Sequence, residues 1–339
     1  MFKKIRLMFI VMLVFYGLAI VLWRLSGGIF YLFNFGFIGT ALGLGMGLFP
    51  ILPKNKKHIA RKLSQLLVGG YLFFGLGFGL VYIMFGAIVP ENMQIEGFWF
   101  WLLSGAVAAG VIHYFVAKIF GPLILNRGWC GWACWTAAIL DLLPFSKSPG
   151  RLGRKFGNIR YLHFALSAIT VSILTFAFGY TLKSTVGVIN IKGIANIPYH
   201  QYSRIWQIPE LWWFITGNII YFGLGIILAF ALKDNRAFCK YVCPITTFLK
   251  LGSRFSLVKI KGDKEKCTEC GLCIKSCPMD IMITEYTQKG KRVTSSECII
   301  CETCVSSCPK NALKLSIGFD AGFKEILREN ISKKGGEIK

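Results

Sequence analysis

Twelve cysteines occur among the 339 residues, and all of them fall in four short stretches. Two stretches near the carboxyl end, CTECGLCIKSCP from Cys267 and CIICETCVSSCP from Cys298, share the spacing C-x2-C-x2-C-x3-C-P. The other two, NRGWCGWACW from Asn126 and NRAFCKYVCP from Asn235, share C-x3-C, pairing Cys130 with Cys134 and Cys239 with Cys243. Thiolates in such groupings bind soft metals or iron–sulfur clusters. Zinc sites use two pairs rather than runs of four with a trailing proline. Disulfides persist poorly on a cytoplasmic face, where thiols stay reduced.

Over roughly residues 257–317 the longer runs resemble bacterial two-cluster ferredoxins. A [4Fe–4S] cube takes one thiolate per iron; three closely spaced cysteines wrap one face, and the fourth comes from the other run. The resemblance implies one cube on Cys267, Cys270, Cys273 and Cys308, and a second on Cys298, Cys301, Cys304 and Cys277. Pro278 and Pro309 redirect the chain after each fourth cysteine. LVKI and LKLSI read as short strands flanking two small cluster-binding helices.

The C-x3-C stretches form an internal repeat. At one constant offset along the chain, Asn126–Arg127 matches Asn235–Arg236, Trp129 matches Phe238, Trp132 matches Tyr241, and both cysteines match. On a continuous helix, residues four apart share a face with Cβ atoms roughly 5–6 Å apart. A disulfide wants about 3.8 Å. Two such motifs facing each other supply four thiolates, enough for a metal ion or a cluster at the membrane edge. Arg127, Arg236 and Lys240 could offset its negative charge. The alternative use of such cysteines is burial as small hydrophobes.

These stretches must be positioned by membrane helices. Hydrophobic residues make up 54% of the chain, too many for an ordinary soluble domain. Six segments, roughly 7–23, 29–52, 64–90, 98–122, 161–182 and 211–232, are long and apolar enough to span a bilayer. The net charge of +23 does not point to nucleic acid, because residues 1–249 hold 22 of 39 basic but only 5 of 16 acidic residues, and the excess lies in the loops. Fourteen basic residues lie on the amino-terminal side of the membrane against four in the opposite loops, so both termini are expected in the cytoplasm of a cell-membrane protein. The first segment reads as a retained helix rather than a cleaved signal, since no small-residue cleavage site follows it. Gly43 with Gly47, and Gly75 with Gly79, are spaced for close helix packing. Tyr199, His200, Tyr202 and Trp206, in the outer loop 183–210, read as an interfacial aromatic belt.

The expected architecture is a membrane all-α helical bundle of about six transmembrane helices plus a small α+β bacterial-type 2[4Fe-4S] ferredoxin domain. Residues 1–250 form the membrane part, with motifs at 126–143 and 235–252. Residues 251–317 form the ferredoxin part, and 318–339 an amphipathic helix from Gly322 with a mobile tail. His113 lies inside the fourth span and is a candidate proton acceptor for a quinol, with hydrogen-bonded packing as the alternative. Lys118 is expected to snorkel to the cytoplasmic surface, and Asp141 to be solvated.

Together, the six spans, the paired C-x3-C motifs and the terminal two-cluster unit resemble the NapH/NosR/CcoG-type polyferredoxin family over most of residues 60–315, and are most similar to NapH-type proteins. The family motif is C-x3-C-P; Cys239, Cys243 and Pro244 match it, whereas Trp135 stands where the first copy should have proline. The resemblance implies a membrane-bound electron carrier, an accessory subunit rather than an independent enzyme, working with a redox partner protein and a quinone. A maturation factor or copper reductase using the C-x3-C cysteines, and a redox sensor, are the other readings. No hydrolase triad, nucleotide loop or flavin fingerprint is present.

Overall fold

A computed structural model describes residues 2–85, 92–105, 109–181, 187–191, 195–199, 206, 208–320 and 324–330. Among them, four helices are long and apolar enough to cross a membrane: Ile5–Leu25, Phe30–Leu48, Lys155–Phe176 and Pro209–Leu232. They correspond to the first, second, fifth and sixth expected spans. The first two form an antiparallel hairpin whose contact is made by glycine. A Cβ on Gly39, Gly43 or Gly47 would meet the side chains of Phe15, Met12 or Met8 at 2.5, 2.7 and 2.8 Å. The spacing of Gly43 and Gly47 therefore does serve close packing. Gly75 and Gly79 do not pair in that way: Gly79 has φ +83° and ends a helical segment.

The third and fourth expected spans are broken. Helix Lys57–Gly70 runs into a π-helical turn, Tyr71–Gly77, and resumes at Leu80–Phe85. Chain 98–122 is not one helix. Ile95–Leu103 ends at a turn where Gly105 has φ +69°, and Ala109–His113, π-helical Tyr114–Phe120 and Gly121–Leu125 follow. Irregular backbone at membrane depth needs partners inside the protein, and it has them. Asn92 and Gln94 are buried, the Asn92 carboxamide accepts from the Gln94 amide (3.0 Å), and the Tyr114 hydroxyl donates to the Met93 carbonyl (3.3 Å).

Strands β1 (Gly187–Ile191) and β2 (Ala195–Tyr199) pair as a hairpin between the last two long helices. His200 and Tyr202 of the expected aromatic belt lie outside the described residues. The carboxyl-terminal unit opens with β3 (Val258–Gly262) and closes with β4 (Leu313–Ile317), antiparallel in register from Val258↔Ile317 to Gly262↔Leu313. Between them lie the short helices Leu272–Lys275 and Thr303–Ser307, as the flanking-strand pattern predicts.

The amphipathic helix expected from Gly322 is not formed by the described part of that segment, because 324–330 runs extended. Polar anchoring outweighs its apolar periodicity. The Met282 amide donates to the Ile326 carbonyl, the Arg328 amide to the Asp280 carbonyl, and the Asn330 amide to the Arg151 carbonyl (3.0, 2.7 and 2.8 Å). The Glu325 carboxylate accepts from Ser295 and Ser296. The segment straps the loop at Arg151 to the carboxyl-terminal unit.

Candidate metal centres

The two long cysteine runs fold as copies of one another. Glu269 and Ile300, Gly271 and Glu302, and Asp280 and Asn311 each have positive φ, between 49° and 70°. Such torsions in non-glycine residues are uncommon and concentrate at ligand sites. Here they curl the chain around two hollows of about 370 Å³ each, open solvent included. One hollow is lined by Cys267, Cys270, Cys273 and Cys308. The other is lined by Cys277, Cys298, Cys301 and Cys304. In each, three cysteines of one run meet the last cysteine of the other. The Thr303 hydroxyl donates to Cys301 Sγ and the Ala312 amide to Cys308 Sγ, both at 3.3 Å.

The two hollows differ in exposure. All four cysteines of the second are buried, whereas Cys270 of the first is exposed and Cys267 and Cys308 partly so. The buried hollow faces the membrane part. The Arg127 amide donates to the Cys298 carbonyl (3.2 Å) and the Trp132 indole to the Ile300 carbonyl (2.8 Å). Only glycine fits at 131, because a Cβ there would sit 2.3 Å from the Ile299 carbonyl oxygen.

The C-x3-C repeat is structural as well. Helices Gly128–Trp132 and Ala237–Tyr241 occupy equivalent positions. The amides of Ala133 and Cys134 both donate to the Trp129 carbonyl, and those of Val242 and Cys243 both donate to the Phe238 carbonyl. Neither motif is one continuous helix. The chain breaks after Trp132, and Cys134 is the extended cap of Trp135–Leu140. The helical-face spacing argument therefore does not apply within a motif.

Cys130 and Cys239 are buried, and Cys134 and Cys243 half-buried. Burial and the neighbouring thiols of Cys130 and Cys239 push the Cys134 thiol up to about 12. Burial and the other three thiols put Cys243 well above the ordinary thiol range. Among the described residues, no three His, Cys, Asp or Glu side chains close around a single metal ion.

The cations that sequence places beside these thiols are paired with carboxylates, while Arg236 also donates to the Cys130 carbonyl (3.0 Å) and its charge favours the Cys239 thiolate. Arg127 (2.6 Å), Arg151 (2.9 Å), Arg160 (3.1 Å) and Lys250 (2.8 Å) all pair with Glu297. Burial opposes that charge, yet the four cations hold the Glu297 carboxyl well below the usual carboxylate range. Arg236 (2.6 Å) and Arg61 (2.9 Å) hold Asp141, which is 11% exposed and not solvated as expected. Lys240 pairs with Asp234 and Asp280.

Lys118 does not snorkel. It is fully buried, its ammonium lies 3.6 Å from the Tyr114 ring centre, and it has no hydrogen-bond partner among the described residues. His113 is also buried, with its ring 4.7 Å from Trp129 and Nε2 unpartnered. Sequence reasoning weighed His163 only as a haem partner for His113 and missed its grouping with Glu96 and Tyr221. His163 Nδ1 donates to the Val242 carbonyl (3.0 Å), its Nε2 stands 3.9 Å from Glu96, and the Tyr221 hydroxyl donates to Glu96 (3.3 Å). The signal available was an acidic residue beside an apolar run.

Two families match the chain. A 4Fe-4S dicluster domain covers residues 259–309, and a 4Fe-4S binding domain covers 99–156 and 216–262. The second match contains both C-x3-C motifs. An uncharacterized protein of Methanocaldococcus jannaschii, MJ0749, is 28% identical over 68% of this chain and 78% of its own length. The putative electron transport protein YccM of Escherichia coli is 29% identical over 54% of this chain and 50% of its own. The regulatory protein NosR of Pseudomonas aeruginosa is 26% identical over 74% of this chain and 34% of its own. The chain thus spans half of YccM and a third of NosR. No solved structure matches it. These matches support a likeness to NapH/NosR-type, 4Fe-4S ferredoxin-type proteins.

Proposed function

We propose that the chain relays single electrons from a membrane donor to a redox partner, through two [4Fe–4S] cubes on the cytoplasmic side of the cell membrane. The carrying observation is the pair of hollows, each lined by three cysteines of one run and the fourth of the other. In this reading Cys277, Cys298, Cys301 and Cys304 hold the cube nearer the membrane, and Cys267, Cys270, Cys273 and Cys308 the outer one. A cube takes up and passes on one electron at a time. The exposed Cys270 marks the edge where a soluble partner would dock. Carriers of known name, such as YccM, support an electron-transfer role without naming that partner.

The termini lie inside the cell in this reading. The loops at Lys54, Arg127–Arg160 and Lys233–Ser256 all meet the ferredoxin unit, and these are the basic loops. Lys54 donates to the Cys308 carbonyl (2.9 Å), and the Leu257 amide to the Leu123 carbonyl (2.9 Å). The chain acts as a subunit of a larger electron-transfer route rather than as an enzyme alone.

The donor is a quinol, and Glu96 with His163 receives its protons. Both side chains are part-exposed, 33% and 24%, on a surface that the bilayer covers. Donation by His163 Nδ1 to Val242 leaves Nε2 free to accept a proton. Oxidation of a quinol to a quinone releases two electrons and two protons. The electrons leave one at a time toward the residues around Cys243, and the protons pass to the imidazole and the carboxylate. His113 faces Trp129 in the interior and takes no proton here.

Anaerobic mixing of the purified protein with a quinol, followed by the iron–sulfur absorbance, tests this reading. Bleaching that slows by roughly a hundredfold or more in Glu96→Gln, with dithionite reduction intact, is expected. Clusters inert toward quinols would overturn the donor assignment.

A further inference from the structure

The four C-x3-C cysteines and Lys118 remain outside the relay as described. Each repeat delivers two thiols by the same local fold, and the repeats meet where Arg236 of the second donates to the Cys130 carbonyl of the first (3.0 Å). All four thus share one locus. Lys118 is aimed at it. Its ammonium stands 5.6 Å from the ring centres of both Trp129 and Trp135, the sequence neighbours of Cys130 and Cys134.

A fully buried lysine nitrogen with no hydrogen-bonding partner is costly in either protonation form, and an anion beside it offsets that cost. The carboxylates nearby are taken: Glu297 by Arg127 and its neighbours, Asp141 by Arg236, and Asp234 and Asp280 by Lys240. No carboxylate pairs with Lys118 among the described residues. Four thiolates around a bound metal core would supply that anion.

The geometry points to a third iron–sulfur cluster held by Cys130, Cys134, Cys239 and Cys243, with Lys118 as its buried counter-cation. This rests on the relay reading and places a centre between the membrane donor and the cube at Cys298. Three observations favour a cluster over a single ion. No three of these thiols close around one ion. Four thiolates around an iron–sulfide core form an anion, and a further electron adds to that charge. The family match that contains both motifs is a 4Fe-4S binding domain. Cys130 packs in one apolar group with Cys298, Ile299, Ile300 and Cys301, so an electron leaving this site meets the buried ferredoxin hollow directly. The π-helical segment Tyr114–Phe120, which carries Lys118, is the kind of helical irregularity found at functional sites. Lys118 acts as a positioning residue: it favours the reduced, more negative state.

The test uses the whole protein purified without oxygen, with iron analysis and EPR-monitored redox titration. Wild type is expected to hold about twelve irons and three reducible centres. Cys130→Ser with Cys239→Ser should lose about four irons and one signal, and keep both ferredoxin signals. In wild-type-like folded protein, Lys118→Met should lower the midpoint potential of that one centre, and Lys118→Arg should restore it. About eight irons in wild type, unchanged in the double variant, would overturn the inference while leaving the relay standing. Zinc or copper in place of iron at these cysteines would also overturn it. A Lys118→Met protein with all potentials unchanged would remove Lys118 from the site. Loss of the ferredoxin signals from wild type itself would instead overturn the relay.

Discussion

Both halves of the molecule are built from a doubled cysteine motif, and they differ in how the copies meet. In the ferredoxin unit the copies are close in the chain and exchange their last cysteine, so each hollow is closed by a short, local stretch. In the membrane part the copies are far apart in the chain, and the long helices Lys155–Phe176 and Pro209–Leu232 lie between them. Their four thiols are brought together only by tertiary packing. The charges differ in the same way. At the ferredoxin boundary four cations surround one carboxylate, Glu297. Among the C-x3-C thiols one cation, Lys118, has no carboxylate partner among the described residues. The comparison teaches that cysteines close in the chain are gathered by local geometry, whereas those of a distant repeat depend on the bundle to meet.

Four substitutions would break or sharpen this contrast. The largest effect is expected from Cys301→Ser, which removes a thiolate from the buried hollow. About four irons should be lost, and the centre on Cys267, Cys270, Cys273 and Cys308 should survive, by iron analysis and EPR. Retention of full iron would refute Cys301 as a cluster ligand. Next, Glu297→Gln leaves Arg127, Arg151, Arg160 and Lys250 without their buried carboxylate. A loss of about 3–5 kcal/mol is expected, read as earlier thermal release of the iron–sulfur colour in detergent. An unchanged melt would show that this network does not hold the two halves together.

Gly131→Ala is smaller. Its methyl would press on the Ile299 carbonyl, so about 1–3 kcal/mol of docking stability should go, with the hollows themselves intact. The prediction fails if proteolysis of the ferredoxin unit proceeds no faster than in wild type. The smallest effect belongs to Glu285→Gln, which breaks an exposed pair with Lys289 at 3.4 Å. Its melt should stay within about 0.5 kcal/mol of wild type. A larger change would mean that surface pairs, not the buried network, set the stability of this unit.

Much of the ferredoxin unit was legible in the sequence, because its ligands, its flanking strands and its turning prolines are close in the chain. The repeat at Cys130 and Cys239 was legible for a different reason, as a constant offset between matched residues. Other features were not. Apolar content is the same in a continuous helix and a broken one, so the interruptions at Gly79 and Gly105 were hidden within runs that looked like spans. Lys118 read as a snorkelling side chain because sequence does not show that Tyr114, Trp129 and Trp135 close over it. Asp141 read as solvated because its partners, Arg61 and Arg236, are 80 and 95 residues away. The terminal strap kept a helical periodicity but is held by backbone partners at Met282, Asp280 and Arg151 that no local pattern reveals.

The most direct measurement on the central claim is EPR of the anaerobically purified whole protein after stepwise reduction, with iron and sulfide counted on the same sample. The account predicts at least about eight irons and two reduced cubes close enough to broaden each other's signals. A colourless, iron-free protein, or a single isolated cube, would contradict it.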